Sequence, residues 1–304
     1  MTDAVDPGST RAGAPAVVRL GDHAFDLSRR VAVMAIINRT PDSFYDRGRT
    51  DSLDAAVRAG AAAFDAGADL VDVGGVKFAP GPPVPVEEEI ARVVPVVREL
   101  APLGAVSVDT FHPEVARAAI DAGASVVNDT TGIHDPRMAD VVADSTAAIV
   151  VAHSLAAPRT QLPLPHYDDV VAEVAVFLRQ RVALAEERGI PRERIVVDPG
   201  HDLNKNTLQT LELTRRLDEV TDLGLPLLVA LSNKDFVGES IGRDRDDRLA
   251  GSLAAAVYCV LHGARIVRVH NVRESIDAVR MVEAILGWRE PVLLRHNLRP
   301  EGND

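Results

Sequence analysis

The chain has 304 residues, 46% of them hydrophobic and 26% charged, with a formal net charge of −12. That length suits one α/β barrel or two smaller domains, and the negative charge argues against nucleic acid or an anionic membrane as partner. The lone cysteine, Cys259, excludes an intramolecular disulfide framework and a cysteine-built metal site.

Residues 1–15 are small, polar and broken by Pro and Gly, which predicts a disordered N-terminus. They lack the basic start and apolar core of a signal peptide, and no later apolar run nears the roughly 18–20 residues of a membrane span. The expectation is a cytoplasmic protein. Residues 16–20 and 23–27, around Gly21-Asp22, read as a hairpin closing the bottom of a barrel. Short apolar runs then recur at 31–37, 70–73, 105–108, 125–127, 147–151, 194–197, 226–231 and 265–269. Amphipathic stretches follow at 53–66, 86–100, 113–122, 137–143, 168–188, 208–221, 249–262 and 275–286. Continuous apolar runs are the mark of parallel strands covered on both faces. Eight strand-then-helix units in unbroken series predict an α/β fold, a single-domain (β/α)8 TIM barrel over 16–287 with an N-terminal hairpin, and 288–304 as a loose tail. Gly67, Gly123, Gly189 and Gly263 each follow a helical stretch, as helix-terminating glycines do.

Chemistry in such a barrel gathers at the carboxyl ends of the strands. There the sequence sets Asn38, Asp72, Asp109, Asn128-Asp129, His153, Asp198, Ser232 with Lys234, and Arg268 with His270. One polar residue ending a strand is often only a cap, but eight in series predict a convergent pocket. Asp109, Asn128, Asp198 and Lys234 suit a flat, nitrogen-rich heterocycle. Asn38, Arg268 and His270 suit an oxyanion or its magnesium. The histidines have no metal-ligand spacing, and no P-loop, HExxH or GxGxxG occurs.

The phrases IINRTPDSF (36–44), VDVGG (71–75), SVDTFHPEVARAAI (107–120), VVNDTTG (126–132), DPG (198–200), LSNKDFVG (231–238), GSLAAA (251–256) and RVHNV (268–272) occur in this order. Together they resemble the dihydropteroate synthase family, whose members condense 6-hydroxymethyl-7,8-dihydropterin diphosphate with p-aminobenzoate. The resemblance implies a cytoplasmic, homodimeric transferase of folate biosynthesis built on this barrel, with magnesium accompanying a pterin or other phosphorylated small-molecule ligand. It implies pterin binding at Asp109, Asn128, Asp198 and Lys234. Diphosphate binding falls to Asn38, Arg268 and His270, and the metal to Asn38.

The second loop departs from the family. Its usual glycine-glycine-glutamate-serine-threonine-arginine-proline-glycine reads Gly74-Gly75-Val76-Lys77-Phe78-Ala79-Pro80-Gly81 here. Losing the arginine removes a forked cationic donor. Asn233 replaces an arginine in the seventh-strand motif, and Asp235 falls where the family docks the p-aminobenzoate carboxylate. Asp235 is expected to satisfy the helix amides there and repel an anion. Leu203 and Ala152 replace a phenylalanine and a methionine. With the second-substrate site altered at Val76, Lys77, Phe78, Ala79, Asn233 and Asp235, the sequence predicts a divergent paralogue, inactive or very weak in condensation, whose remaining role is to bind a pterin or another planar ligand. An active synthase with an unusual loop, and a barrel transferase retuned to another nucleophile, remain the alternatives. Lys77, Lys205, Lys234, Arg268 and His270 are expected to keep one rim positive.

Overall fold

A computed structural model of the protein describes residues 17–39, 52–78, 80–157, 159–160, 162 and 164–296. The predicted disordered N-terminus, the segment 40–51, Ala79 and the last eight residues lie outside them. β1 (Val17–Leu20) and β2 (His23–Asp26) form an antiparallel hairpin turning at Gly21, whose φ of +60° is the left-handed conformation glycine adopts without strain. Eight parallel strands follow: β3 (Ala32–Asn38), β4 (Leu70–Gly74), β5 (Ala105–Asp109), β6 (Val126–Asp129), β7 (Ala148–Ala152), β8 (Ile195–Asp198), β9 (Leu228–Ala230) and β10 (Ile266–Val269). They are ordered β8-β7-β6-β5-β4-β3-β10-β9, and a parallel bridge from Val197 to Leu227 closes the ring.

The helices are α1 (Leu53–Asp65), α2 (Val86–Leu100), α3 (Pro113–Asp121), α4 (Arg137–Ala143), α5 (Val170–Glu187), α6 (Thr207–Arg215), α7 (Asp218–Thr221), α8 (Asp235–Ile241), α9 (Leu249–Leu261) and α10 (Val272–Ile285). Local signals account for several starts. Ser52 caps α1, Asp169 accepts the Val171 and Ala172 amides of α5, and Asn206 and Gln209 form a reciprocal capping box on α6. Two details differ from the sequence reading. The stretch 208–221 is two helices, because the backbone of Arg216 leaves the helical region (φ −105°, ψ 29°) just before fully buried Leu217. The seven-residue α8 is absent from the amphipathic stretches, being too short to show a helical period, and only the family resemblance set a helix start near Asp235; it ends at Gly242, φ +64°.

The alternation of side chains along each strand divides the apolar residues between two cores. Val33, Val71, Val106, Val127, Val197 and Val267 face outward into the layer between barrel and helices. Met34, Leu70, Ala105, Val126, Val150, Val196 and Ile266 fill the barrel interior, joined by Val18 and Leu20 of the hairpin. The interior is therefore apolar at its lower end. Higher up, the inward positions become polar: Asp72 and Ser107, then Asn38, Asp109, Asn128 and Asp198. The site begins at this change. Among the described residues no helix is long and apolar enough to cross a membrane.

Candidate functional site

Register aligns the upper row. Asn38 is paired with Gly74, Gly74 with Asp109, and Asp109 with Asn128. A Cβ on Gly74 would stand 3.3 Å from the Asn38 Oδ1 and 3.6 Å from the Asp109 Cβ, so the glycine keeps the floor open. Above it lies a cavity of about 370 Å³. Asn38, Asp109, Asn128, Asp198, Lys234, Arg268 and His270, drawn from six strand ends, all line it, as do Val76, Lys77, Phe78, Asn233 and Asp235. Three strand-end residues that the sequence also marked do not line it: Asp72 is bonded to Asn128 and Arg268, Asp129 accepts the Thr131 and Ile133 amides, and His153 meets Lys205.

The floor is held by charge. Arg268 Nε donates to Asp72 Oδ2 at 2.6 Å, and its Nη2 donates to Asp109 Oδ2 at 2.7 Å. Asp72 also accepts Asn128 Nδ2 at 3.0 Å. That bond fixes the amide so that its oxygen, buried and without a partner, remains an acceptor. Burial pushes the Asp109 carboxyl up to about 7, against the attraction of Arg268. Asp72, which the sequence set among the polar strand-end residues, is fully buried and organises the floor from beneath.

Asp198 ends β8, and its Oδ1 accepts the Gly200 amide at 2.7 Å. Gly200 has φ +69°, and a Cβ there would lie 2.1 Å from the His153 carbonyl oxygen, so only glycine fits this turn. Burial raises the Asp198 carboxyl and lowers the Lys234 ammonium, each opposed by the attraction between them. Lys234 Nζ donates to the His201 carbonyl. Lys205 is turned inward: its Nζ meets His153 Nδ1 at 2.9 Å and donates to the Gly200 and Leu203 carbonyls at 2.8 and 3.1 Å. Burial lowers Lys205 to about 7 and His153 to about 2, so His153 is neutral and accepts from the lysine. His201 is fully buried and held neutral by burial and the two lysines.

The expected positive rim is not there. Lys205 is buried, Arg268 is held by two carboxylates, and Asp198, Asp202 and Asp235 share the lining with Lys77, Lys234 and Arg245. The opening at α8 also differs from expectation. Asp235 is the first residue of α8, but its exposed carboxylate pairs with Arg248 Nη1 at 2.8 Å and caps nothing. The carboxylate at the helix is Asp202, whose Oδ2 accepts the Phe236 amide at 3.2 Å. Asn233 adopts φ +58°, a conformation asparagine tolerates, with its amide donating to Ser252 Oγ and its side chain to Asn271. His270 Nδ1 and backbone N–H both meet Ser232 Oγ, at 3.1 and 3.2 Å. Asp202, Arg245 and Arg248 escaped the sequence reading because each lies in a loop or short helix, away from a strand end.

Against known proteins, residues 34–270 match the family model described as pterin binding enzyme. The chain is 44% identical over 274 residues to the inactive dihydropteroate synthase 2 of Mycobacterium leprae, covering 86% of this chain and 93% of that one. It is 41% identical over 261 residues to the dihydropteroate synthase of Escherichia coli, covering 85% and 93%. The structure superposes on the Xanthomonas albilineans dihydropteroate synthase solved with 4-aminobenzoic acid at a TM-score of 0.82, with 41% identity over 88% of this chain and 97% of that one. With the fold, the ordered motifs and the relatives in agreement, the chain belongs to the dihydropteroate synthase family, as a divergent paralogue with an altered second loop.

Proposed function

We propose that this protein binds a pterin, free or as its diphosphate, and that it does not condense it with p-aminobenzoate, or does so only very slowly. The observation that carries the pterin reading is the acceptor set around the cavity: the Asn128 Oδ1, fixed by Asp72, with the Asp109 and Asp198 carboxylates. Three acceptors lining one cavity match adjacent N–H donors on one edge of a heterocycle. Lys234, beside Asp198, supplies the donor for the ring carbonyl. Arg268 both fixes Asp109 and brings positive charge toward the diphosphate end, where Asn38 and His270 also line the cavity.

The family reaction expels diphosphate and presents an arylamine to the carbon left behind, so it needs anion support and a positioned carboxylate. Here the second loop offers Val76, Lys77 and Phe78, and the wall near α8 carries Asp202 and Asp235. Asp202 already takes the Phe236 amide at the start of α8, a donor an incoming carboxylate would otherwise use. The first relative's designation as inactive agrees with this reading. Magnesium fits only as the companion of a diphosphate. Asn38 brings one oxygen to the cavity, and no cluster of three His, Cys, Asp or Glu side chains suited to a metal occurs among the described residues. Bound there, the ion would neutralise phosphate charge. We further propose a cytoplasmic homodimer; α9 and α10, which pack together, leave Leu261, Met281 and Ile285 exposed.

Calorimetric titration with 6-hydroxymethylpterin tests the binding reading. The wild-type protein should bind, and Asp109→Ala and Asp198→Ala should each abolish detectable binding with the circular dichroism spectrum unchanged. Equal affinity in all three proteins would refute the assignment of this floor to a pterin.

A further inference from the structure

In this barrel the loops around the cavity are fastened to one another. The loop between β4 and α2, which presents Val76, Lys77 and Phe78 to the cavity, has three of its carbonyls taken by guanidinium groups. Arg92 Nη1 donates to Gly75 O at 2.7 Å. Arg159, from the loop after β7, donates through Nη1 to Lys77 O at 2.7 Å and through Nη2 to Pro82 O at 2.9 Å. The fork needs room: a Cβ on Gly81 would lie 2.3 Å from the Arg159 Nη2.

The loop after β7 is fastened in turn to the loop after β8. Asn204 Oδ1 accepts Ser154 Oγ at 2.8 Å and the Leu155 and Ala156 amides at 3.1 Å each, while Asn204 O accepts the Tyr167 hydroxyl at 2.9 Å. Asp202 then joins that loop to α8 through the Phe236 amide, and Thr210 Oγ1 donates to its other carboxylate oxygen at 3.2 Å. Asp202 and Asn204 both adopt positive φ, +61° and +50°. Asn and Asp tolerate that region, and each here uses its side chain to make a cross-loop bond that glycine could not.

We propose that Arg159 and Asn204 are positioning residues that hold Lys77 and Phe78 as a standing wall of the cavity, in place before a ligand arrives. The identity of that ligand rests on the pterin reading above; the fixed wall does not. Ordering the loops at folding removes that cost from the binding step and sets the shape a ligand must match. An arginine fork spanning two carbonyls specifies loop geometry in a way a single ammonium does not.

Two measurements test this. The first uses ligand-free protein and trypsin, which cuts after Lys77 only when this loop leaves its seat. The wild type should resist cleavage there. Arg159→Ala, Gly81→Ala and Asn204→Gly should each be cut at least about 10-fold faster at that bond, with thermal midpoints near the wild-type value, and Arg159→Lys should behave as Arg159→Ala. Glycine at 204 adopts the required φ freely, so that variant removes the bonds without challenging the fold. The second is stopped-flow association of 6-hydroxymethylpterin. Wild type should show one phase linear in concentration, and Arg159→Ala and Asn204→Gly an added slower phase that saturates. Wild-type cleavage after Lys77 as fast as in the variants, rescue by Arg159→Lys, or a saturating phase in wild type would overturn the proposal. Absence of pterin binding altogether would sink the pterin reading and leave the trypsin result to decide the wall.

Discussion

Arg268 is the residue on which the floor of the cavity depends, because it pairs with two carboxylates from different strands, buried Asp72 and part-buried Asp109. Arg268→Ala leaves Asp72 and Asp109 facing each other without a counter-charge. Removing one partner of a buried ion pair costs about 3–5 kcal/mol, and urea unfolding should show a loss of that size. Asp109 carries a second prediction. Its carboxyl is raised by burial to about 7, whereas a ligand's N–H groups require the ionised form. Pterin affinity should therefore fall as pH drops below about 7, by at most about tenfold per pH unit for one proton. Near pH 7 binding should release a fraction of a proton, measured by calorimetry in buffers of different ionisation enthalpy. The linkage to folding runs the other way. A carboxyl raised in the native state makes that state bind more protons between its unfolded value near 3.8 and 7, so this group's contribution to stability declines as pH rises through that window. The sequence showed Asp109, Asn128 and Asp198 clearly, because polar residues ending apolar strands stand out. It could not show that Asp72 orients the Asn128 amide, since that bond joins residues 56 apart.

The strand-and-helix series was legible because buried parallel strands and capped amphipathic helices leave strong local patterns, as at β7 and α5. What the pattern did not carry was loop structure. The loop after β8 places Asp202 and Asn204 in left-handed conformations, and their bonds reach 34 residues on to Phe236 and 48 back to Ala156. Asp235 illustrates the same limit: its position at the start of α8 was readable, and its pairing with Arg248 thirteen residues later was not. The turn at Gly200 yields a test at this scale. Alanine there must take φ +69° with its Cβ 2.1 Å from a backbone oxygen that cannot yield. Gly200→Ala should cost at least about 2 kcal/mol in urea unfolding and displace Asp198, while Gly242→Ala, with nothing within 4 Å, should cost only about 1 kcal/mol from its left-handed backbone.

For the whole molecule, the net charge of −12 does not sort into an acidic exterior and a basic mouth. Acids and bases alternate around the cavity, with the carboxylates of Asp202 and Asp235 near α8 beside Lys77, Lys234 and Arg245. If those carboxylates and the second loop are what prevent condensation, the combined substitutions Val76→Glu, Lys77→Ser, Phe78→Thr, Ala79→Arg, Asp202→Gly and Asp235→Ser should raise p-aminobenzoate-dependent turnover by at least about 10-fold, equivalent to about 1.4 kcal/mol of barrier. The central claim, a barrel that keeps the pterin floor and lacks the second-substrate site, is tested most directly by one assay on the wild-type chain. Diphosphate release from 6-hydroxymethyl-7,8-dihydropterin diphosphate is followed with magnesium, with and without p-aminobenzoate, at ligand concentrations where calorimetry detects pterin binding. The account predicts binding with no release above the p-aminobenzoate-free rate. Steady, p-aminobenzoate-dependent release at about 1 per second or faster, within the ordinary range of enzyme turnover, would contradict it.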